Sequence, residues 1–182
     1  MKQIFVVRHC EAEGQPKQAP LTQNGVIQAK HLSNFLSDFN IERVISSPYL
    51  RAIQSAKPFS KRADLEIEID QRLRERVLST NHLPDWFDKL KQTFTDFDLT
   101  FPGGESSRIA MNRIVDALND IQANTYSRTV IFTHGNIMSL LLNYYNENFG
   151  FETWEKMTNP DVFLLTFKVN DICIQRIWTE DY

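Results

Sequence analysis

The chain has 182 residues, of which 42% are hydrophobic and 24% are charged, a composition typical of a globular protein of one domain. Its 20 Lys and Arg residues against 23 Asp and Glu residues give a formal net charge of −3. The surface as a whole therefore attracts neither nucleic acid nor an anionic membrane, and any anion site must come from positive groups gathered locally.

The two cysteines, Cys10 and Cys173, form neither a CxxC pair nor a zinc-ligand spacing, which is typical of a protein from a reducing compartment. The apolar run at residues 4–7 is too short for the core of a signal peptide or for a membrane span. We therefore expect a cytoplasmic protein.

Predicted strands and helices alternate along the chain. Short runs rich in β-branched residues predict strands, at residues 4–7, 43–46, 65–69, 129–132, 163–169 and 172–178. Apolar residues at helical spacing predict helices after the turn at 22–25, over 111–121 and from 137 onward. Ser47 and Pro48 are interpreted as an N-cap and first helical position, and Asn170-Asp171 as the turn of a closing hairpin.

This alternation predicts an α/β fold, a three-layer α/β/α sandwich around a mostly parallel mixed sheet, with a small helical cap excursion. We assign residues 1–182 to one domain and residues 77–101 to a cap insertion.

Chemically useful side chains follow the predicted strands. Arg8 and His9 come after the first strand, Arg51 one turn beyond the second, Glu75 after the third and His134 after the fourth. Ligands of such sheets bind outside the carboxyl ends of the strands, so we expect these groups to meet. Arginines match the spread charge of a transferring phosphoryl group, His9 is a candidate nucleophile and Glu75 a candidate acid.

A family resemblance rests on motifs spread over nearly the whole chain. They are Val7-Arg8-His9-Cys10-Glu11, Leu21-Thr22-Gln23-Asn24-Gly25, Ser46-Ser47-Pro48-Tyr49-Leu50-Arg51-Ala52, Leu73-Arg74-Glu75, Pro102-Gly103-Gly104-Glu105-Ser106 and Thr133-His134-Gly135-Asn136. The sequence resembles the histidine phosphatase superfamily, which includes the cofactor-dependent phosphoglycerate mutases. The resemblance implies the roles of the site residues: His9 as the phosphorylated histidine, Glu75 as the proton donor, and Arg8, Arg51, His134, Gln15 and Gly135 as phosphate-binding residues.

Two positions depart from the family pattern. Cys10 stands where relatives usually have glycine, whose backbone carbonyl is thought to orient the histidine, so we infer a backbone without positive φ there. Residues 76–80 lack the glycine-containing stretch common after the acid, which leaves Glu11 and Glu13 as rival acids. A reactive thiol at Cys10 is a further hypothesis, against the simpler interpretation of a small buried residue.

The function predicted from these residues is a phosphomonoester phosphatase that works through a phosphohistidine on His9. A cofactor-dependent phosphoglycerate mutase is the alternative, and a non-catalytic module that binds a phosphorylated ligand is the second alternative. The four histidines show no HxH or HExxH spacing, so we expect no metal and no cofactor. The expected partner is a small phosphorylated substrate, neither nucleic acid nor membrane, and the sequence leaves the oligomeric state open.

An aromatic stripe follows Pro84-Asp85. It contains Trp86, Phe87, Leu90, Phe94, Phe97 and Phe101. Its simplest interpretation is a satellite core. The alternative is a cap over the mouth of the pocket, in which Arg76, His82 and Arg108 would bind the leaving group.

Overall fold

Six strands form one mixed sheet in the computed structural model, which describes residues 1–169 and 171–179. They are β1 Lys2–Arg8, β2 Arg43–Ser46, β3 Ile67–Ile69, β4 Arg128–Thr133, β5 Asp161–Phe167 and β6 Ile172–Arg176. Their order is β3-β2-β4-β1-β5-β6, and β5 runs antiparallel to both of its neighbours while the other pairings are parallel. Long apolar runs such as that of β1 suit strands that are covered on both faces.

The described residues contain six α-helices. They are α1 Gln23–Leu36, α2 Leu50–Ala63, α3 Trp86–Gln92, α4 Ser107–Ala123, α5 Gly135–Tyr145 and α6 Phe151–Glu155. Hydroxyl side chains cap two of them, because Thr22 accepts a hydrogen bond from Gly25 N and Ser106 accepts one from Ile109 N. None of the helices in residues 1–169 and 171–179 is long and apolar enough to cross a membrane.

Alternate residues of β1 contribute to two hydrophobic cores, one on each face of the sheet. Ile4 and Val6 belong to the core that contains the inner faces of α4 and α5. Phe5 and Val7 belong to the core that contains the inner faces of α1 and α2. Since successive side chains of a strand point to opposite faces, this alternation builds three layers and confirms the predicted α/β/α sandwich.

The helix predicted to start at Ser47 and Pro48 begins later than expected. Its N-cap is Tyr49 and its first residue is Leu50. Ser47 instead bonds to the neighbouring strand β4 and to the residue that follows it. Its backbone N–H donates to Phe132 O at 2.8 Å, and its hydroxyl lies 2.7 Å from His134 Nε2. The predicted hairpin is present as β5 and β6, although Asn170 of its turn lies outside the described residues.

The segment 77–101 contributes partly to the core and partly to the surface. Phe94 and Phe97 pack against the core beneath α4 and α5, as the satellite-core interpretation expects. Trp86 and Phe87, at the start of α3, keep 49% and 39% of their surface exposed. The division of the chain into one domain with a cap stays a prediction.

Gly25 gives a test of how tightly α1 packs against the loop after His9. A Cβ added at Gly25 would lie 2.0 Å from the backbone oxygen of Glu11, whereas one added at Gly14 would meet nothing closer than 3.5 Å. We expect Gly25→Ala to lower the free energy of unfolding by about 1–3 kcal/mol, the range for overpacking, although alanine is the better helix former. The control Gly14→Ala should stay within about 0.5 kcal/mol. Urea denaturation of both variants measures the difference, and equal stabilities would contradict the packing.

Candidate active site

The ends of two neighbouring parallel strands bring His9 and His134 together. Arg8, the last residue of β1, pairs in register with Thr133, the last residue of β4, and His9 N donates to Thr133 O at 3.0 Å. The two imidazoles that follow lie edge to face, with ring centroids 5.1 Å apart. Arg51, in the first turn of α2, reaches the same place and donates from Nε to His9 Nε2 at 3.1 Å.

Two hydrogen bonds fix the protonation of the His9 ring. Nδ1 lies 2.7 Å from the backbone oxygen of Cys10, and a carbonyl can only accept, so Nδ1 carries the hydrogen. Nε2, which accepts from Arg51, therefore keeps its lone pair. Burial lowers the pKa of His9 to about 3; the Cys10 hydrogen bond opposes this shift, and the charges of Arg51 and Arg8 add to it. His9 is therefore a neutral imidazole with a lone pair on Nε2 at neutral pH.

The backbone at Cys10 agrees with the inference from the sequence. Among the described non-glycine residues, only Asn40 and Asp64 have positive φ, so a cysteine at position 10 carries no such strain. The Cys10 side chain is fully buried, and burial raises the pKa of its thiol to about 12. A thiol that resists ionisation is a poor target for oxidants, which favours the interpretation of a small buried residue over the redox hypothesis.

Arg51 is a fixed buried cation. Only 1% of its surface is exposed, and Nη1 donates to the backbone oxygens of Gln15 and Pro16 at 3.0 Å each. Its guanidinium also lies over the Tyr49 ring, 4.9 Å from the centroid. Burial lowers the pKa of Arg51, and the nearby acidic groups of Glu75 and Tyr49 raise it. Arginine keeps its charge under such shifts, so Arg51 presents a permanent positive charge beside His9.

Arg8 is held from a different side of the site. Its Nη1 donates to Met157 O at 2.8 Å, and its guanidinium lies close over the backbone of Gly135. A Cβ at position 135 would come within 3.0 Å of Arg8 Nε, so glycine leaves room for this approach. Burial lowers the pKa of Arg8, while Glu75 and Asp161 raise it.

Buried polar atoms without partners collect at this site. Within residues 1–169 and 171–179, the buried side-chain atoms without a hydrogen bond are Arg8 Nε, His134 Nδ1, and Nδ2 and Oδ1 of Asn136. Such atoms are rare in folded proteins, and these belong to residues around the start of α5. The N-terminus of α5 adds the positive end of a helix dipole, so the arrangement suits a bound oxyanion.

His134 lies behind the surface of the pocket. It is completely buried, its Nε2 lies 2.7 Å from Ser47 Oγ, and its ring contacts Tyr49 with centroids 4.8 Å apart. Burial lowers its pKa well below the ordinary value, so the ring is neutral at neutral pH. The structure brings His134 next to His9, and its contact with phosphate stays a prediction.

Glu75 lies at the N-terminus of α5. Its Oε1 accepts from Arg76 N at 2.8 Å and from Ile137 N at 2.9 Å, and its Oε2 accepts from Asn136 N at 3.2 Å. The preceding turn is tied to β4, since Thr133 Oγ1 donates to Leu73 O at 2.8 Å. Glu75 shares the pocket with Arg8 and Arg51 and raises the pKa of both.

The rival acids are placed less well. Glu11 lines the pocket, but its side chain is exposed and bonds to Thr22 and Asn24 at the start of α1, away from the start of α5 where Glu75 lies. Glu13 is not among the described residues that line the pocket. Position therefore favours Glu75 over both.

The pocket has a volume of about 910 Å³, and most of the predicted site residues line it. These are Arg8, His9, Gln15, Arg51, Glu75, Arg76, His82 and Gly135. Arg108 is a correction, because it lies outside this lining and pairs with Asp98 at 2.6 Å. Arg76 lines the pocket, but its guanidinium points inward and donates to Glu105 O and Thr93 Oγ1. Among the described residues, no group of three His, Cys, Asp or Glu side chains could hold a metal ion.

The sequence did not point to the segment between α6 and β5. Asn159 lines the pocket and donates from Nδ2 to His9 O at 2.7 Å, and Met157 O holds Arg8. The signal available was topological: the start of an antiparallel strand beside β1 lies at the edge where β1 ends. Residues just before β5 were therefore candidates for the site.

Comparison with known proteins decides the family. Residues 4–177 match the family model of the histidine phosphatase superfamily, branch 1. The chain belongs to the histidine phosphatase superfamily. This confirms the resemblance inferred from the sequence motifs.

Curated relatives carry both of the predicted activities in their names. The chain is 30% identical over 162 residues to a probable phosphoglycerate mutase GpmB of Proteus mirabilis. The matched region covers 79% of this chain and 74% of the relative. It is 24% identical over 157 residues to a putative phosphoserine phosphatase of Hydrogenobacter thermophilus, covering 78% and 77% of the two chains. The predicted class of phosphatases and mutase-like enzymes is therefore confirmed.

The solved structures agree with the fold. A mycobacterial glucosyl-3-phosphoglycerate phosphatase in complex with inorganic phosphate superposes with a TM-score of 0.78 at 20% identity, over 97% of this chain and 95% of that one. At this identity the likeness concerns the fold alone.

The neutral state of His9 is open to direct measurement by NMR. We expect its Nδ1 to carry the hydrogen and its imidazole not to titrate between about pH 5 and about pH 8. Because the pKa falls from 6.5 to about 3 on folding, the unfolded chain binds the proton first. The free energy of unfolding should then fall as pH drops from about 6.5 towards 3, and less so in His9→Gln. The chain in urea is the control, and a His9 signal titrating near neutrality in the folded protein would refute the assignment.

Proposed function

We propose that this chain is a phosphomonoester phosphatase that transfers the phosphoryl group first to His9 Nε2 and then to water. The observation that carries the proposal is the neutral His9 ring, whose Nε2 lone pair is held beside the Arg51 guanidinium in a pocket that Arg8 and Glu75 also line. A small phosphorylated molecule is the proposed substrate, and the cytoplasm is the proposed compartment, since Cys10 and Cys173 are both free thiols.

In the first proposed step, the Nε2 lone pair of His9 attacks phosphorus in line with the ester oxygen. The N–P bond forms as the P–O bond to the alcohol breaks, and Glu75 gives its proton to the departing oxygen. Arg8 and Arg51 face the charge spread over the phosphoryl oxygens, where fixed cations stabilise the transition state most. The products are the free alcohol, a phosphohistidine and the Glu75 carboxylate.

In the second proposed step, the Glu75 carboxylate takes a proton from a water molecule that attacks the phosphohistidine. The O–P bond forms, the N–P bond breaks, and its electron pair returns to His9 Nε2. Phosphate leaves, with Glu75 protonated again. The hydrogen bond from Nδ1 to Cys10 O keeps the ring oriented through both steps.

The remaining predicted residues have supporting roles in this proposal. Gly135, the first residue of α5, and the positive end of the α5 dipole would face the phosphoryl oxygens, since the N–H groups of Asn136 and Ile137 already donate to Glu75. Gln15 lines the same pocket, and its backbone oxygen already holds Arg51, so its side chain is a proposed phosphate contact. His134 would bind the phosphoryl group through Nδ1, which has no hydrogen-bond partner among the described residues.

A phosphoglycerate mutase is the second candidate function, and the 30% identity to the probable mutase of Proteus mirabilis supports it. A mutase shares the first step and returns the phosphoryl group to bound substrate instead of water. A binding module without turnover would need no neutral nucleophile, so the protonation of His9 speaks against that alternative.

The phosphohistidine is the decisive intermediate to trap. Brief incubation with a labelled phosphomonoester and an alkaline quench should leave acid-labile, base-stable label on the wild type. The label should be lost in His9→Ala, because no lone pair remains at that position. His31→Ala, which removes an exposed imidazole on α1, should retain it. Label on His9→Ala at the wild-type level would show that His9 is not the nucleophile.

Chasing the labelled enzyme separates the two candidate functions. With unlabelled phosphoglycerate in excess, a phosphatase releases the label as inorganic phosphate, and we expect this result. Transfer of most of the label into bisphosphoglycerate would establish the mutase instead. Absence of label from every substrate would favour the binding module.

The acid role of Glu75 predicts a dependence on the leaving group. Glu75→Gln should lower kcat for an alkyl phosphate by about 10²–10⁴-fold, because the alkoxide then leaves without a proton. For a nitrophenyl ester, whose oxygen leaves unaided, phosphohistidine formation should fall far less in a single-turnover measurement. Glu13→Gln, which changes a carboxylate outside the pocket lining, is the control. Equal losses with both esters would mean that Glu75 is not the acid.

A further inference from the structure

The pocket lining also includes residues whose chemistry differs from that of the cations beside His9. We name six of them the distal wall: Leu78, His82, Leu83, Trp86, Leu90 and Trp154. The polar residues Ser79, Thr80 and Asn81 of the same segment line the pocket as well. Trp86, at the start of α3, and Trp154, in α6, lie edge to face with ring centroids 6.3 Å apart. Trp86 keeps 49% of its surface exposed, so the wall offers apolar aromatic surface to whatever enters. Exposed aromatic surface in a pocket is typical of a binding contact.

The distal wall lacks a free arginine or lysine. Among the described residues, no lysine lines the pocket, and its arginines are Arg8, Arg51 and Arg76. Arg8 and Arg51 lie beside His9, while Arg76 is 5% exposed and all three of its guanidinium nitrogens donate to Glu105 O or Thr93 Oγ1. Lys89, one turn after Trp86, donates both of its bonds to Asp85. The exposed imidazole of His82 is the only basic side chain described in this wall.

The pocket lining contains acidic side chains as well. Glu11 and Glu75 both line the pocket. A carboxylate on the alcohol portion would lose hydration on entry without gaining a paired cation, which is costly. An uncharged alcohol with a flat apolar face would instead cover the exposed surface of Trp86.

We infer that the distal wall selects phosphomonoesters of uncharged alcohols that carry a ring with an apolar face, either an aromatic ring or a sugar ring, and disfavours esters with a carboxylate. The inference rests on the proposed phosphatase function and names the substrate class of that same pocket. Phosphoserine and phosphoglycerate, both carboxylates, fall outside this class.

The experiment compares two benzyl phosphates that differ in one ring substituent, an uncharged methyl group or a carboxylate. Phosphate release from para-methylbenzyl phosphate and para-carboxybenzyl phosphate is measured side by side in one buffer. We expect kcat/KM for para-methylbenzyl phosphate to exceed that for para-carboxybenzyl phosphate by about tenfold or more, the scale of specificity that one pocket contact provides. A hexose phosphate, phosphorylated on its primary hydroxyl, is the sugar arm, and whichever ring gives the higher kcat/KM identifies the source of the apolar face.

Variants locate the selectivity in the distal wall. Trp86→Ala should lower kcat/KM for para-methylbenzyl phosphate by about tenfold and for methyl phosphate, whose alcohol has no ring, by much less. Trp86→Phe should recover most of the loss. Tyr126→Ala, the matched control, removes an aromatic ring before β4 that is 43% exposed and does not line the pocket, and should leave kcat/KM unchanged.

The outcomes separate this inference from the function on which it rests. Equal rates for the two benzyl esters, a preference for the carboxylate, or equal losses for both esters in Trp86→Ala would overturn the inference and leave the phosphatase standing. No phosphate from any ester, with no label on His9, would overturn the proposed function itself.

Discussion

The hydrogen bond from His9 Nδ1 to the backbone oxygen of Cys10 is the interaction on which the rest of the site depends. Burial and two neighbouring arginines keep the ring neutral, but only a fixed acceptor at Nδ1 decides which nitrogen keeps the lone pair. Because the acceptor belongs to the backbone, the side chain at position 10 is free to join the hydrophobic core, as that of Cys10 does. This explains how the chain departs from the usual glycine and still orients the histidine.

The order of the strands positions the site residues, and backbone oxygens stabilise the buried guanidinium charges of Arg8 and Arg51. Arg8 lies in register with Thr133 on one side and Asp161 on the other, so three chain segments reach the same edge of the sheet. Buried guanidinium groups lose hydration, and each is compensated by carbonyl acceptors, Met157 O for Arg8, and Gln15 O and Pro16 O for Arg51. The loops around the pocket therefore hold the cations in place before any phosphate binds.

Periodicity and strand position predicted the fold and the centre of the site, since both follow from local pattern and sheet direction. The hydrophobic run before Arg8 predicted β1, and the carboxyl-end rule placed His9 and His134 at one edge. Side-chain partners could not be predicted in this way. Arg108 pairs with Asp98 from a loop, and Ser47 bonds to His134 instead of capping a helix. Both depend on tertiary distances that neither helical nor strand spacing records.

The start of α5 is a region of positive potential that Glu75 already occupies and that the proposed phosphate would share. Without substrate, the N–H groups of Asn136 and Ile137 at the start of α5 donate to the Glu75 carboxylate. In the proposed mechanism a phosphoryl group bound between Arg8 and Arg51 would bring further negative charge to the same region, where these two fixed cations face it. The distal wall differs from this region, because its described side chains offer no free arginine or lysine that could balance a substrate carboxylate.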